Sequence, residues 1–69
     1  MFDFKTTRAF LFLRNVANGD MKRKDCTRRE ACDLLDYMEN PAHPESVKRS
    51  LAALTIPNMV KIHKCLRRG

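Results

Sequence analysis

Few side chains in this 69-residue chain could do covalent or metal chemistry: Cys26, Cys32, Cys65, His43, His63, and the carboxylates Glu30, Asp33, Asp36 and Glu39. A structural zinc site needs Cys-x2-4-Cys or His-x3-5-His spacing. Cys26 and Cys32 are too far apart for that. His63 and Cys65, two residues apart on a helix, point in divergent directions. No metal and no cofactor is expected, and the cysteines read as buried, inert thiols. His63 falls in an apolar stripe and reads as a core or interface imidazole. A catalytic nucleophile needs a base and an orienting group in a cleft. Four carboxylates fanned over one helix face do not form an acid/base pair, because nothing apolar surrounds them to split their pKa values. There is no Gly-rich phosphate loop and no Gly-x-Ser-x-Gly, and the chain is too short to enclose a pocket. The expectation is a non-enzyme.

Charge is the informative feature, because it is sorted along the chain. Residues 1–29 carry Lys5, Arg8, Arg14, Lys22, Arg23, Lys24, Arg28 and Arg29 against Asp3, Asp20 and Asp25. From Glu30 to Glu45 every charge is acidic: Glu30, Asp33, Asp36, Glu39 and Glu45. From Ser46 onward every charge is basic: Lys48, Arg49, Lys61, Lys64, Arg67 and Arg68. The net charge is +6. Opposed patches steer orientation as well as encounter, so one face is expected to meet an acidic partner and another to be kept from it. An alternative stands beside this: the acidic and basic helices pair with each other, and the sorting is architectural.

Sixty-nine residues allow one domain, and 43% apolar content is enough for a small core. No apolar run approaches the ~20 residues of a membrane span. The run Ala9–Leu13 is too short for a secretory signal and lacks a small-residue cleavage site after it. Three cysteines cannot all pair within one chain, so reduced thiols and a cytoplasmic location are expected. This size and charge suit an accessory or regulatory protein of the kind that phages and plasmids carry.

Gly and Pro divide the chain into about four helical segments. The first spans roughly residues 6–17, capped by Asp3 or Thr6 and stopped by Asn18-Gly19. Ala9, Phe10, Leu11, Phe12, Leu13, Val16 and Ala17 wrap most of its circumference, so it must be covered on more than one side. It is read as the central helix or as part of a homodimer surface through Phe10, Phe12 and Leu13. A strand is the competing reading, but no second strand-like run exists to pair with it. Residues 20–26 form a basic connector. Thr27-Arg28-Arg29-Glu30 is a capping box, followed by an inward stripe of Ala31, Leu34, Leu35 and Met38, and Asn40-Pro41 ends the helix. Asp33 and Asp36 are expected opposite that stripe. A third helix begins near Pro44 with Val47, Leu51 and Leu54 inward. A fourth begins at Pro57, with Met59, Ile62, His63 and Leu66 on one face and Lys61, Lys64 and Arg68 on another. The expected fold is all-α: residues 1–69 as a single helical domain of three or four short helices, ending in a helical hairpin or a helix-turn-helix-like corner.

The segment Thr27–Leu35 resembles the first helix of helix-turn-helix motifs, and Ser46–Leu51 resembles a second. The link between them is too long and carries two prolines. Helices three and four have a short turn without Gly, and helix four offers mainly Lys and Arg, which suit phosphates better than base edges. The expected function is therefore a small basic regulatory protein that contacts nucleic acid, DNA ahead of RNA, without dedicated helix-turn-helix readout. Its expected contacts are Lys22, Arg23, Lys24, Arg28, Arg29, Lys48, Arg49, Lys61, Lys64, Arg67 and Arg68. The alternative is a compact inhibitor or adaptor that docks on a host enzyme through opposed patches, with Glu30, Asp33, Asp36 and Glu39 as its acidic face.

Overall fold

Each of the first two helices begins where the chain supplies a side-chain cap. In the computed structural model, which describes residues 2–68 and leaves the Arg68 side chain aside, a short 3-10 turn spans Phe4–Thr6. The Asp3 carboxylate accepts from the Lys5 N–H at 3.1 Å and so caps this turn, not the helix after it. Thr7 is the true cap of α1 (Arg8–Asn18), its hydroxyl accepting from the Phe10 N–H at 3.3 Å. Gly19 closes α1 at φ +85°, a left-handed conformation that costs glycine nothing. The Phe/Leu run is thus a helix; among the described residues there is no strand.

The connector leads to α2 (Arg28–Glu39). The expected capping box is present: the Thr27 hydroxyl accepts from the Glu30 N–H at 3.1 Å, and the Glu30 carboxylate accepts from the Thr27 N–H at 2.8 Å. Ala31, Leu34 and Met38 are buried, with Leu35 half-buried beside them. Pro44 precedes α3 (Glu45–Ala52) as its capping residue, one position earlier than a first helical residue. Residues 53–55 then turn the chain into α4 (Ile56–Arg68). The architecture is all-helical, with α1 packed on α2 and α3–α4 forming a C-terminal corner.

The core is built from Ala9, Leu13 and Val16 of α1, the α2 stripe, Leu51, and Ile56, Met59 and Val60 of α4, with Phe4 and Cys26 filling the ends. Burying a Leu or Met side chain contributes about 1.5–3 kcal/mol, so these residues carry most of the stability. Here α4 departs from expectation. Its buried stripe is Ile56, Met59, Val60 and His63, at i, i+3, i+4 and i+7, whereas Ile62 and Leu66 are exposed at 42% and 41%. Leu54 is also exposed and Val47 only half-buried. α4 carries two apolar stripes, and a chain of four short helices has material to cover only one of them.

Candidate nucleic-acid interface

Six of the expected basic contacts have partners inside the fold. Arg23 forks onto Asp25, with Nε at 2.7 Å and Nη2 at 2.9 Å from its two oxygens. Arg28 Nε donates to the Ala17 carbonyl at 2.9 Å and so ties the end of α1 to the start of α2. Lys48 donates to the Asn40 carbonyl, and Arg49 pairs with Glu45 at 3.3 Å while lying over the Phe2 ring. Lys64 Nζ sits 2.8 Å from Glu30, and Arg67 Nη1 sits 3.1 Å from Asp33. Among the described residues, Lys22, Lys24, Arg29 and Lys61 make no ion pair or side-chain hydrogen bond. The Arg68 side chain lies outside the described residues.

The acidic face of α2 divides in the same way. Glu30 and Asp33 are engaged by α4, and Asp36 and Glu39 are exposed without an ion-pair partner among the described residues. Asp33 is therefore not opposite the core: its half-buried carboxylate faces α4. The sorting of charge along the chain is, for these two pairs, architectural. Both are partly exposed, and such pairs contribute little individually. Their consequence is positional. The Lys64–Glu30 contact joins the Lys61/Lys64 face of α4 to the first turn of α2, where Arg29 and the basic connector begin. Lys64 and the first turn of α2, 34 residues apart in sequence, thereby become neighbours. The connector itself folds around a shallow hollow lined by Gly19, Lys22, Arg23, Thr27 and Arg28.

The environments follow from these contacts. Glu30's carboxyl is held below the usual carboxylate range, first by Lys64 and then by the Thr27 N–H. Asp25 is lowered by Arg23, and Glu45 by the Phe2 N–H. Burial pushes the Cys26 thiol up, which disfavours the reactive thiolate. Cys32 and Cys65, expected to be buried, are exposed and unbonded, because neither helix turns that side toward a neighbour. Among the described residues, no three His, Cys, Asp or Glu side chains gather as metal ligands.

Sequence reasoning missed one cluster. His43 stacks on Tyr37 at 3.9 Å, and the buried His63 meets the same ring edge-on at 5.3 Å, with Asp33 and Arg67 beside them. Their separation in sequence left no local signal. On α1, Leu13 is fully buried in the chain's own core, and the other two residues of the expected dimer surface, Phe10 and Phe12, are half-buried against that core. No helix of the described residues is long and apolar enough to cross a membrane. No protein-family model, no curated protein and no solved structure matches this chain.

Proposed function

We propose that the protein is a small basic regulatory protein of the cytoplasm that contacts nucleic acid, duplex DNA in preference to RNA. The surface runs from the connector across the first turn of α2 to α4. The observation that carries this is the Lys64–Glu30 contact, because it brings α4, with Lys61 one turn from Lys64, against the first turn of α2, where Arg29 follows the basic connector. A row of ammonium and guanidinium groups at a helix start suits phosphate oxygens, and phosphate contacts supply most of the affinity of non-specific binding. Duplex is favoured over single strands because recognition of unpaired bases uses exposed aromatic platforms. Here Phe4 is buried, and Phe2, Phe10, Phe12 and Tyr37 pack against the core. The role is binding, not catalysis. It does not depend on self-association through α1, nor on offering the acidic face of α2 to a host enzyme, since that face retains only Asp36 and Glu39 outside ion pairs.

The test is fluorescence anisotropy with a labelled duplex at two salt concentrations. With Lys22, Lys24, Arg29 and Lys61 each neutralising one phosphate, affinity should fall roughly a hundredfold between about 50 and 200 mM salt. Absence of binding at the lower salt refutes the proposal.

A further inference from the structure

The hollow at the basic connector carries charge in its own lining. Val16 and Met21 supply its apolar part, and Lys22, Arg23, Thr27 and Arg28 its polar part. Gly19 leaves one wall without a side chain, and its φ of +85° would strain any residue with a Cβ there. The hollow measures about 390 Å³, toward the lower end of the range for small-ligand sites. No Asp or Glu is among its lining residues. Arg23 is matched by its fork onto Asp25. Among the described residues, Lys22 makes no ion pair, and Arg28 meets only the uncharged Ala17 carbonyl, through Nε. Lys22 and Arg28 thus bring two uncompensated positive charges to the hollow, and the Arg28 Nη groups keep their donors. We propose that the hollow seats the terminal phosphate of a DNA strand, an inference that rests on the nucleic-acid reading above.

The preference for a strand end follows from charge and access. A phosphate monoester carries nearly two negative charges at neutral pH and three acceptor oxygens. It matches Lys22 and Arg28 charge for charge. An internal phosphodiester carries a single charge, and the strand continues on both sides of it, which obstructs entry into a concave site. The Ala17 carbonyl anchors the Arg28 guanidinium before any ligand arrives, which lowers the cost of ordering it. The Thr27 hydroxyl accepts from the Glu30 N–H and has its own proton left to donate. Val16 and Met21 offer apolar contact to the sugar that carries the phosphate. Lys24 and Arg29, next in sequence to Arg23 and Arg28, are left for internal phosphates of the same duplex.

The test uses full-length protein and a blunt duplex labelled on an internal base, at about 100 mM salt. The duplex is either phosphorylated at both termini of each strand or bears hydroxyls there. The phosphorylated duplex should bind roughly tenfold more tightly by anisotropy, the gain from one further charge-assisted hydrogen bond. Its amide NMR footprint should include Gly19, Lys22 and Thr27. Lys22→Gln, at an exposed position and so compatible with folding, should bring the ratio of the two affinities close to one. Lys61→Gln, outside the hollow, should weaken both duplexes and preserve the ratio. Equal binding of the two duplexes overturns this inference and leaves the nucleic-acid reading standing, whereas binding of neither overturns both. A ratio untouched by Lys22→Gln overturns the placement in the hollow. Adenosine monophosphate or a phosphoserine peptide that displaces the phosphorylated duplex at lower concentration than the duplex itself also overturns it. The hollow would then belong to a free nucleotide or to a modified protein.

Discussion

Glu30→Gln separates the structural from the functional consequence of the contact that joins the two basic blocks. Glu30 has two partners: its carboxylate accepts from the Thr27 N–H within the capping box, and it pairs with Lys64. Glutamine keeps the first contact, because its amide oxygen accepts the same hydrogen bond, and loses the charge that holds Lys64. The Lys64 side chain is 63% exposed and that of Glu30 21%, so the lost pair should cost only about 0.5 kcal/mol. For a domain of this size that lowers Tm by about 3 °C. Lys64 then becomes available to phosphate beside Lys61 and Arg29, and one negative charge is gone from the middle of the surface. One added phosphate contact steepens the salt dependence by about 0.9 in log–log slope and tightens binding at about 100 mM salt by roughly five- to tenfold. Thermal melting by circular dichroism reads the first number, and salt-dependent anisotropy with a labelled duplex reads the second. Unchanged slope and affinity would refute the placement of the interface at this seam. A loss of several kcal/mol would refute the claim that the pair serves mainly to position Lys64.

Leu34→Ala should cost about 2–5 kcal/mol in urea denaturation, because Leu34 is completely buried between α2 and the rest of the core. Such a loss is a large share of the stability available to so small a domain. Acidification should destabilise the protein from about pH 6.5 downward through His63. Its pKa lies below 6.5, chiefly through burial and then through Arg67, with Asp33 opposing and His43 adding to the depression. The unfolded chain therefore binds this proton more readily than the fold, and stability is lost as pH falls from the unfolded pKa toward the folded one. His63→Phe should flatten the pH dependence of the urea midpoint across that window, leaving the later loss at lower pH, where Asp25, Glu30 and Glu45 become protonated.

Local signals in the chain were legible, and long-range choices were not. The Thr27–Glu30 capping box, the Ala31/Leu34/Met38 stripe and the left-handed Gly19 depend on neighbours within a turn or two, and each stands where sequence spacing puts it. The cap of α1 slipped from Asp3 or Thr6 to Thr7 because three hydroxyl or carboxylate residues crowd the entry, and a 3-10 turn uses the first of them. On α4, periodicity admits two apolar stripes and cannot say which one the remainder of the chain will cover. The pairs Lys64–Glu30 and Arg67–Asp33 join residues 34 apart, a choice made by how α4 crosses α2. Hence the basic residues were recognisable as a class. Their division into six engaged side chains and four unpaired ones required the fold.

That division explains why α4 carries no acid of its own. An ordinary exposed helix gains from carboxylates four residues from each lysine, and α4 forgoes this. Its circumference is already allotted: Ile56, Met59, Val60 and His63 to the core, Lys64 and Arg67 to the acids of α2, Ile62 and Leu66 to the exposed apolar stripe, and Lys61 to the exposed basic surface. A carboxylate on the α2 side would repel Glu30 and Asp33 and loosen the crossing. One beside Lys61 would neutralise the proposed phosphate contact. The acids that steady α4 come instead from α2. Local helix pairing is weaker for it, by a few tenths of a kcal/mol per missing pair. In exchange, α4 keeps Lys61 on the proposed phosphate surface, and that surface meets the first turn of α2 only once α4 has docked there.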